Sequence, residues 1–183
     1  MAKYTVDGYN NKLKKQLTKL NSGALVEIAA RTSMVEQVKR IFDKGGNSAG
    51  GQIGSYNTKD ELWIDDSKLP STPTHVGKTG KTIKTSYYPS YKAMRAQQGR
   101  KTNVVNLTLF GRLRSEYSNS PVGAANPTKI SKLVYVSKLQ TKENKSKKAG
   151  MEDKYGEIFD LTTKEVEVFR KELDLQFKQL MDA

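Results

Sequence analysis

Between Gly45 and Thr102 the chain shows almost no apolar periodicity, and that interval limits what the rest can fold into. Glycines crowd at positions 45, 46, 50, 51 and 54, then Pro70, Pro73 and Pro89 punctuate a polar run, and only Leu62–Ile64 reads as strand. A structureless stretch of this length is uncommon inside a compact domain and is usually functional or disordered. The segment is therefore expected to be a long extended loop or β-arm that finds its order on a neighbouring subunit; a disordered insertion has the same composition. Any core has to come from the flanks.

The N-terminal flank reads as two helices. Tyr9, Leu13, Leu17 and Leu20 make one apolar stripe on a basic helix that Asp7 can cap, and Asn21–Gly23 break it. Ala24–Lys44 follows with Leu25, Ile28, Val35, Val38 and Phe42 on one face, and Gly45–Gly46 supply its stop. On the other side, Val105, Leu107 and Leu109 alternate with Asn106, Thr108 and Phe110, the period of a half-buried strand. Gly111 marks a bulge or bend before Arg112–Arg114 resume the pattern. Ser118–Pro127 reads as loop, and Lys132–Leu139 as a strand pairing antiparallel with residues 104–114. Lys142–Lys148 reads as a lysine-rich connection and Gly150–Gly156 as a short helix or turn. Thr162 and Glu165 form a capping box, Leu161 and Val166 a hydrophobic staple, and Val166, Phe169, Leu173, Phe177 and Leu180 stripe the terminal helix. The expected fold class is α+β: a small antiparallel β-sheet packed by the N-terminal helix pair and the C-terminal amphipathic helix, with the long loop or β-arm. Residues 1–183 are expected to be a single domain, with a helical part to 44, the arm over 45–102, and strands plus helix over 103–183.

Charge is unevenly spread. Of a formal +13, residues 76–148 hold sixteen Lys/Arg against two Asp/Glu, whereas residues 149–183 hold five against nine. Such polarity suits a polyanion or a neighbouring copy of the chain, and equally a solvated basic surface. With no cysteine and the single His75, disulfide frameworks, thiolate metal sites and His-based triads are excluded. No apolar run reaches the length of a membrane span and no signal peptide is visible, so no membrane partner is expected.

Three motifs invite chemistry. His75–Thr82, HVGKTGKT, looks like a phosphate-cradling loop, but that motif needs a glycine five positions before the Gly-Lys-Thr, and His75 or Thr72 stands there. A basic loop touching phosphate or acidic neighbours fits better. Tyr87, Tyr88 and Tyr91 sit among Lys84, Lys92 and Arg95, a pattern that can stack on single-stranded bases or line a protein interface. Asp60, Glu61, Asp65 and Asp66 flank Trp63 without the glycine pattern of a calcium loop, and read as a patch for a neighbour's basic stretch. No catalytic residue, metal ligand or cofactor site is expected.

The order of segments adds a resemblance. RIFDKGGNSAGGQIGSY (Arg40–Tyr56) is followed by YKAMRAQQGRKTNVVNLTLFGRLRSEYS (Tyr91–Ser118) and then KYGEIFDLTTKEVEVF (Lys154–Phe169). Their succession resembles the virion-morphogenesis or tail-completion family of tailed-phage neck proteins, over about residues 40–170. The resemblance implies a small, non-catalytic α/β structural protein made in the host cytoplasm and carried in the virion neck or tail. It also implies a homo-oligomeric ring, of six or twelve copies, meeting the portal or other neck and tail rings. Lys78, Lys81, Lys84, Arg95, Arg100 and Lys101 are then candidates for nonspecific contact with double-stranded DNA in the channel, or for contact between rings. Trp63, Asp65, Asp66, Tyr87, Tyr88, Tyr91, Glu165 and Glu172 are candidates for the subunit interface. The alternative from another class is a sequence-nonspecific nucleic-acid-binding protein acting through the basic middle segment.

Overall fold

The computed structural model describes residues 5–65, 75–76, 82–83, 85–107, 112–119, 125–137 and 139–182. The chain is α+β, as expected. Helix α1 (Val6–Ser22) is capped by Thr5, whose Oγ1 accepts from Gly8 N at 3.2 Å, so Asp7 lies in the first turn and is not the cap. Gly23, at φ 78°, turns the chain straight into α2 (Ala24–Val38), which continues as a wider π turn through Lys39–Asp43. A Cβ on Gly23 would stand 1.9 Å from Lys132 O, so only glycine fits both the backbone angle and the approach. After α2 the glycine-rich stretch is not arm but body: Ile53 N bonds Gly45 O at 2.8 Å, and Ile53 and Tyr56 are buried.

The arm is a ribbon. Strand β1 (Leu62–Asp65) pairs antiparallel with β4 (Thr85–Tyr88), in the register Leu62↔Tyr88 and Trp63↔Tyr87, and between them β2 (His75–Val76) pairs antiparallel with β3 (Thr82–Ile83). Helix α3 (Tyr91–Gln97), capped by Ser90, then returns the chain to the body. The strand expected over 104–114 is not formed: residues 104–107 join no ladder and Arg112–Ser118 is helix α4, while 108–111 lie outside the described residues. The physical reason is that the groups of Asn106 are satisfied sideways. Its N donates to the Tyr56 hydroxyl at 3.1 Å, and its Oδ1 accepts from the same hydroxyl at 3.1 Å. Leu113 and Tyr117, four apart, then bury as a helical pair.

The expected strand over 132–139 is formed only at β6 (Val134–Val136), and its partner is β5 (Thr128–Ser131) rather than residues 104–114. The lysine-rich connection and the following short turn are one helix, α5 (Lys142–Tyr155). Thr141 caps it, and Glu143–Lys147 and Lys148–Glu152 brace it as pairs four residues apart. Helix α6 (Thr163–Asp182) begins with the expected reciprocal box: Glu165 N donates to Thr162 Oγ1 at 3.2 Å and Thr162 N to Glu165 Oε2 at 2.8 Å. Along its stripe Leu180 is buried, but Phe177 stays 48% exposed.

The core sits where α2 packs along α6, closed by α4 and by the chain on either side of α5. Phe42, Tyr117 and Phe159 meet there with ring centroids 5.1–6.5 Å apart, in the tilted geometry aromatic pairs prefer. Burial pushes the Tyr117 phenol well above its ordinary range, so it stays protonated and its hydroxyl donates to Phe159 O at 3.3 Å.

Candidate interaction surfaces

Alternation along β1 and β4 gives the ribbon two unlike faces. Ser86 and Tyr88 are buried opposite half-buried Leu62 and Ile64, which fixes one face inward. The period of two then forces Trp63 and Tyr87 outward as a directly opposed pair. Their rings lie 5.0 Å apart at 51°, with Trp63 71% and Tyr87 45% exposed. A hydrogen bond from the Tyr87 hydroxyl to Glu61 raises the phenol above its ordinary value, burial adding to it. Asp60, Glu61 and Asp65 are all exposed around this pair, and Asn57 holds the turn beneath by accepting from Lys59 N at 2.7 Å and Asp60 N at 3.1 Å. The result is an aromatic platform with a carboxylate border.

Where the ribbon joins the body, Arg95 is locked in. Its guanidinium lies 4.4 Å from the Tyr56 ring centroid, Nη2 donates to Asn106 Oδ1 at 2.9 Å and Nε to Lys101 O at 3.2 Å, and the residue is 1% exposed. Arg95 is therefore a structural cation, not the polyanion contact expected of it. Beside this knot lies a cavity of about 520 Å³ that Tyr56, Tyr91 and Tyr155 line together with Arg95, Arg112, Lys147 and Lys154. Tyr56 is raised by burial, against the lowering effect of the bond from Asn106 N and of Arg95.

Two interface candidates also turn inward. Tyr88 is 1% exposed, because its register places it on the packed face of the ribbon. Glu165 is 3% exposed and meets Arg40 Nε at 2.7 Å inside the molecule. Trp63, Asp65 and Tyr87 lie together on the outer face of the ribbon, whereas Tyr91 is half-buried with its ring 5.6 Å from that of Tyr56. Glu172, half-buried on α6, accepts from Gln176 at 2.8 Å and stands apart from the ribbon group. Lys101 is exposed and reaches Asp43 O at 3.5 Å, and Arg100 is half-buried. Lys78, Lys81, Lys84 and Asp66 lie outside the described residues.

A surface the sequence pointed to for another purpose is the stripe of α1. Val6 is 77% and Leu17 56% exposed, and Tyr9 and Leu13 are also open, while Leu20 is half-buried, so most of this stripe covers no core among the described residues. Gln16 instead makes the inward contact, donating to Leu180 O at 2.8 Å. Amphipathicity located the stripe but could not say whether a partner within the chain covers it.

Among the described residues no group of three or more His, Asp or Glu is placed to hold a metal ion, and no helix is long and apolar enough to cross a membrane. Comparison with protein-family models, curated proteins and solved structures gives no match to this chain.

Proposed function

We propose that the chain is a structural subunit of a tailed-phage neck, a non-catalytic protein forming a ring that joins portal or collar to tail around the DNA channel. The observation that carries the reading is the bare Trp63–Tyr87 pair on a ribbon whose other face is packed. A large exposed aromatic pair is what an interface core looks like before its partner arrives. The order of the three motif segments supports the same reading, and the basic middle segment suits the wall of a channel that passes DNA without reading it. Purified protein, alone or with its head and tail partners, is expected to form closed rings in electron micrographs and to be recovered in particles of the encoding phage. A chain that forms no ring under either condition and is missing from particles refutes the proposal.

A second reading, nonspecific nucleic-acid binding, is favoured by one observation. Arg112, Lys147 and Lys154 gather around the tyrosine-lined cavity, and among the described residues no carboxylate lines it. Tight monomeric binding to free DNA, with log K falling by about 0.9 per neutralised phosphate as log salt rises, would favour this reading over the ring.

A further inference from the structure

We infer that the acidic aromatic face of the ribbon takes the apolar stripe of α1, which Lys12 and Lys14 flank, from a second copy of this chain. The inference rests on the neck-ring reading for its setting and names the two surfaces that would meet. Each surface is half of a contact. Trp63 and Tyr87 offer a flat apolar platform bordered by carboxylates, including Glu61, and α1 offers Leu17 and Val6 as open apolar knobs. The charges are complementary: at 100° per residue Lys12 and Lys14 flank the apolar stripe on either side, while Lys15 and Lys19 on the far side keep the helix as a whole basic against Asp7 alone. A phosphate backbone approaching Trp63 would meet Asp60, Glu61 and Asp65 first, so the border selects a cationic partner over a nucleic acid.

Within one chain the two surfaces are committed to different neighbours. Helix α1 is tied to the end of α6 through Gln16 and Leu180, and β4 leads through Ser90 into α3. Two different patches meeting between copies make a heterologous contact, which repeats from copy to copy and closes into a ring when the rotation allows. The open indole of Trp63 becomes the anchor of that contact, the kind of residue on which interface affinity concentrates.

Trp63 is the sole tryptophan, so its fluorescence reports this contact alone. Emission of the full-length protein is followed against concentration beside its mass by sedimentation. As the mass rises, the emission maximum is expected to move to shorter wavelength, and added salt should shift both curves to higher concentration. Lys14→Glu, and separately Asp60→Lys with Glu61→Lys, should each weaken association about tenfold, the three changes together should recover most of the loss, and Lys15→Glu, on the far side of α1, should leave association unchanged. Circular dichroism checks that each variant is folded. Assembly that proceeds with an unmoved Trp63 emission overturns this contact and leaves the ring standing. A monomer in solution at every concentration also overturns it, and recovery of rings from particles then decides the neck reading separately. A Trp63 shift on adding duplex DNA without a rise in self-association would make nucleic acid the occupant and overturn the inference.

Discussion

Arg40 ties together several distant parts of this molecule. It donates to Glu165 Oε1 at 2.7 Å and Oε2 at 3.3 Å, and to the carbonyls of Gly46, Ile158 and Asp160 at 2.8–3.0 Å. One planar fork thus ties the glycine-rich loop, the approach to α6 and the α6 capping box together. Arg40→Ala leaves Glu165 buried without its cation, and urea denaturation is expected to show a loss of about 3–5 kcal/mol. Replacing both partners by apolar residues of similar size should cost less than either single change. Glu116 is a second hub, accepting from Thr141 N at 2.6 Å, Thr141 Oγ1 at 2.8 Å, Gln140 N and Asn144 Nδ2. Burial raises its carboxyl, but these bonds outweigh burial and lower it to about 2. A carboxyl depressed on folding adds stability above its unfolded value near 4.5, and loses it as pH falls from there to about 2. Thermal melts across that window should be steeper in pH for the native chain than for Glu116→Gln.

At the scale of elements, what could be read in advance was whatever depended on neighbours in sequence. The α6 box is set by residues three apart and stands where expected; of the α2 stripe Leu25, Val38 and Phe42 bury, but Ile28 is 40% exposed, and Ala29, Ser33, Met34 and Gln37 share the inner face instead. The alternation misled at residues 105–107 because a strand requires a partner ladder, and Tyr56, which supplies the competing bonds to Asn106, lies far away in the chain. Helix α5 did carry signals, Thr141 as cap and the pairs Glu143/Lys147 and Lys148/Glu152, but with no apolar stripe they passed for a charged linker. The α1–α2 junction makes a sharper test. Gly23→Ala must place a methyl group against Lys132 O in a backbone region that alanine avoids. A loss of about 1–3 kcal/mol is expected, seen as a lower Tm, with the β5–β6 hairpin displaced from α2.

For the whole molecule, the fold class was legible and the surfaces only half so. Composition overdrew the arm, since residues 45–56 are body and Tyr91–Gln97 is helix, and LWI located one strand of the ribbon, but register decides which tyrosine faces out. Tyr87 and Tyr88 are neighbours in sequence and opposite in fate, and Arg95 reads as a surface cation until its aromatic and amide partners are seen. The neck reading predicts that deletion of the encoding gene yields filled heads and separate tails, a phenotype that micrographs of lysates would reveal. One consequence of the ribbon concerns free copies of the chain at high concentration. Among the described strands β1 and β4 pair only with each other, so each is an edge strand, and an edge is a template on which identical arms could stack without end. Asp60, Glu61 and Asp65 set like charge against like whenever two such arms align, so the carboxylates act as a guard against fibre growth. Asp60→Asn with Glu61→Gln and Asp65→Asn should therefore yield a chain that binds amyloid dyes on standing, under conditions in which the native chain does not.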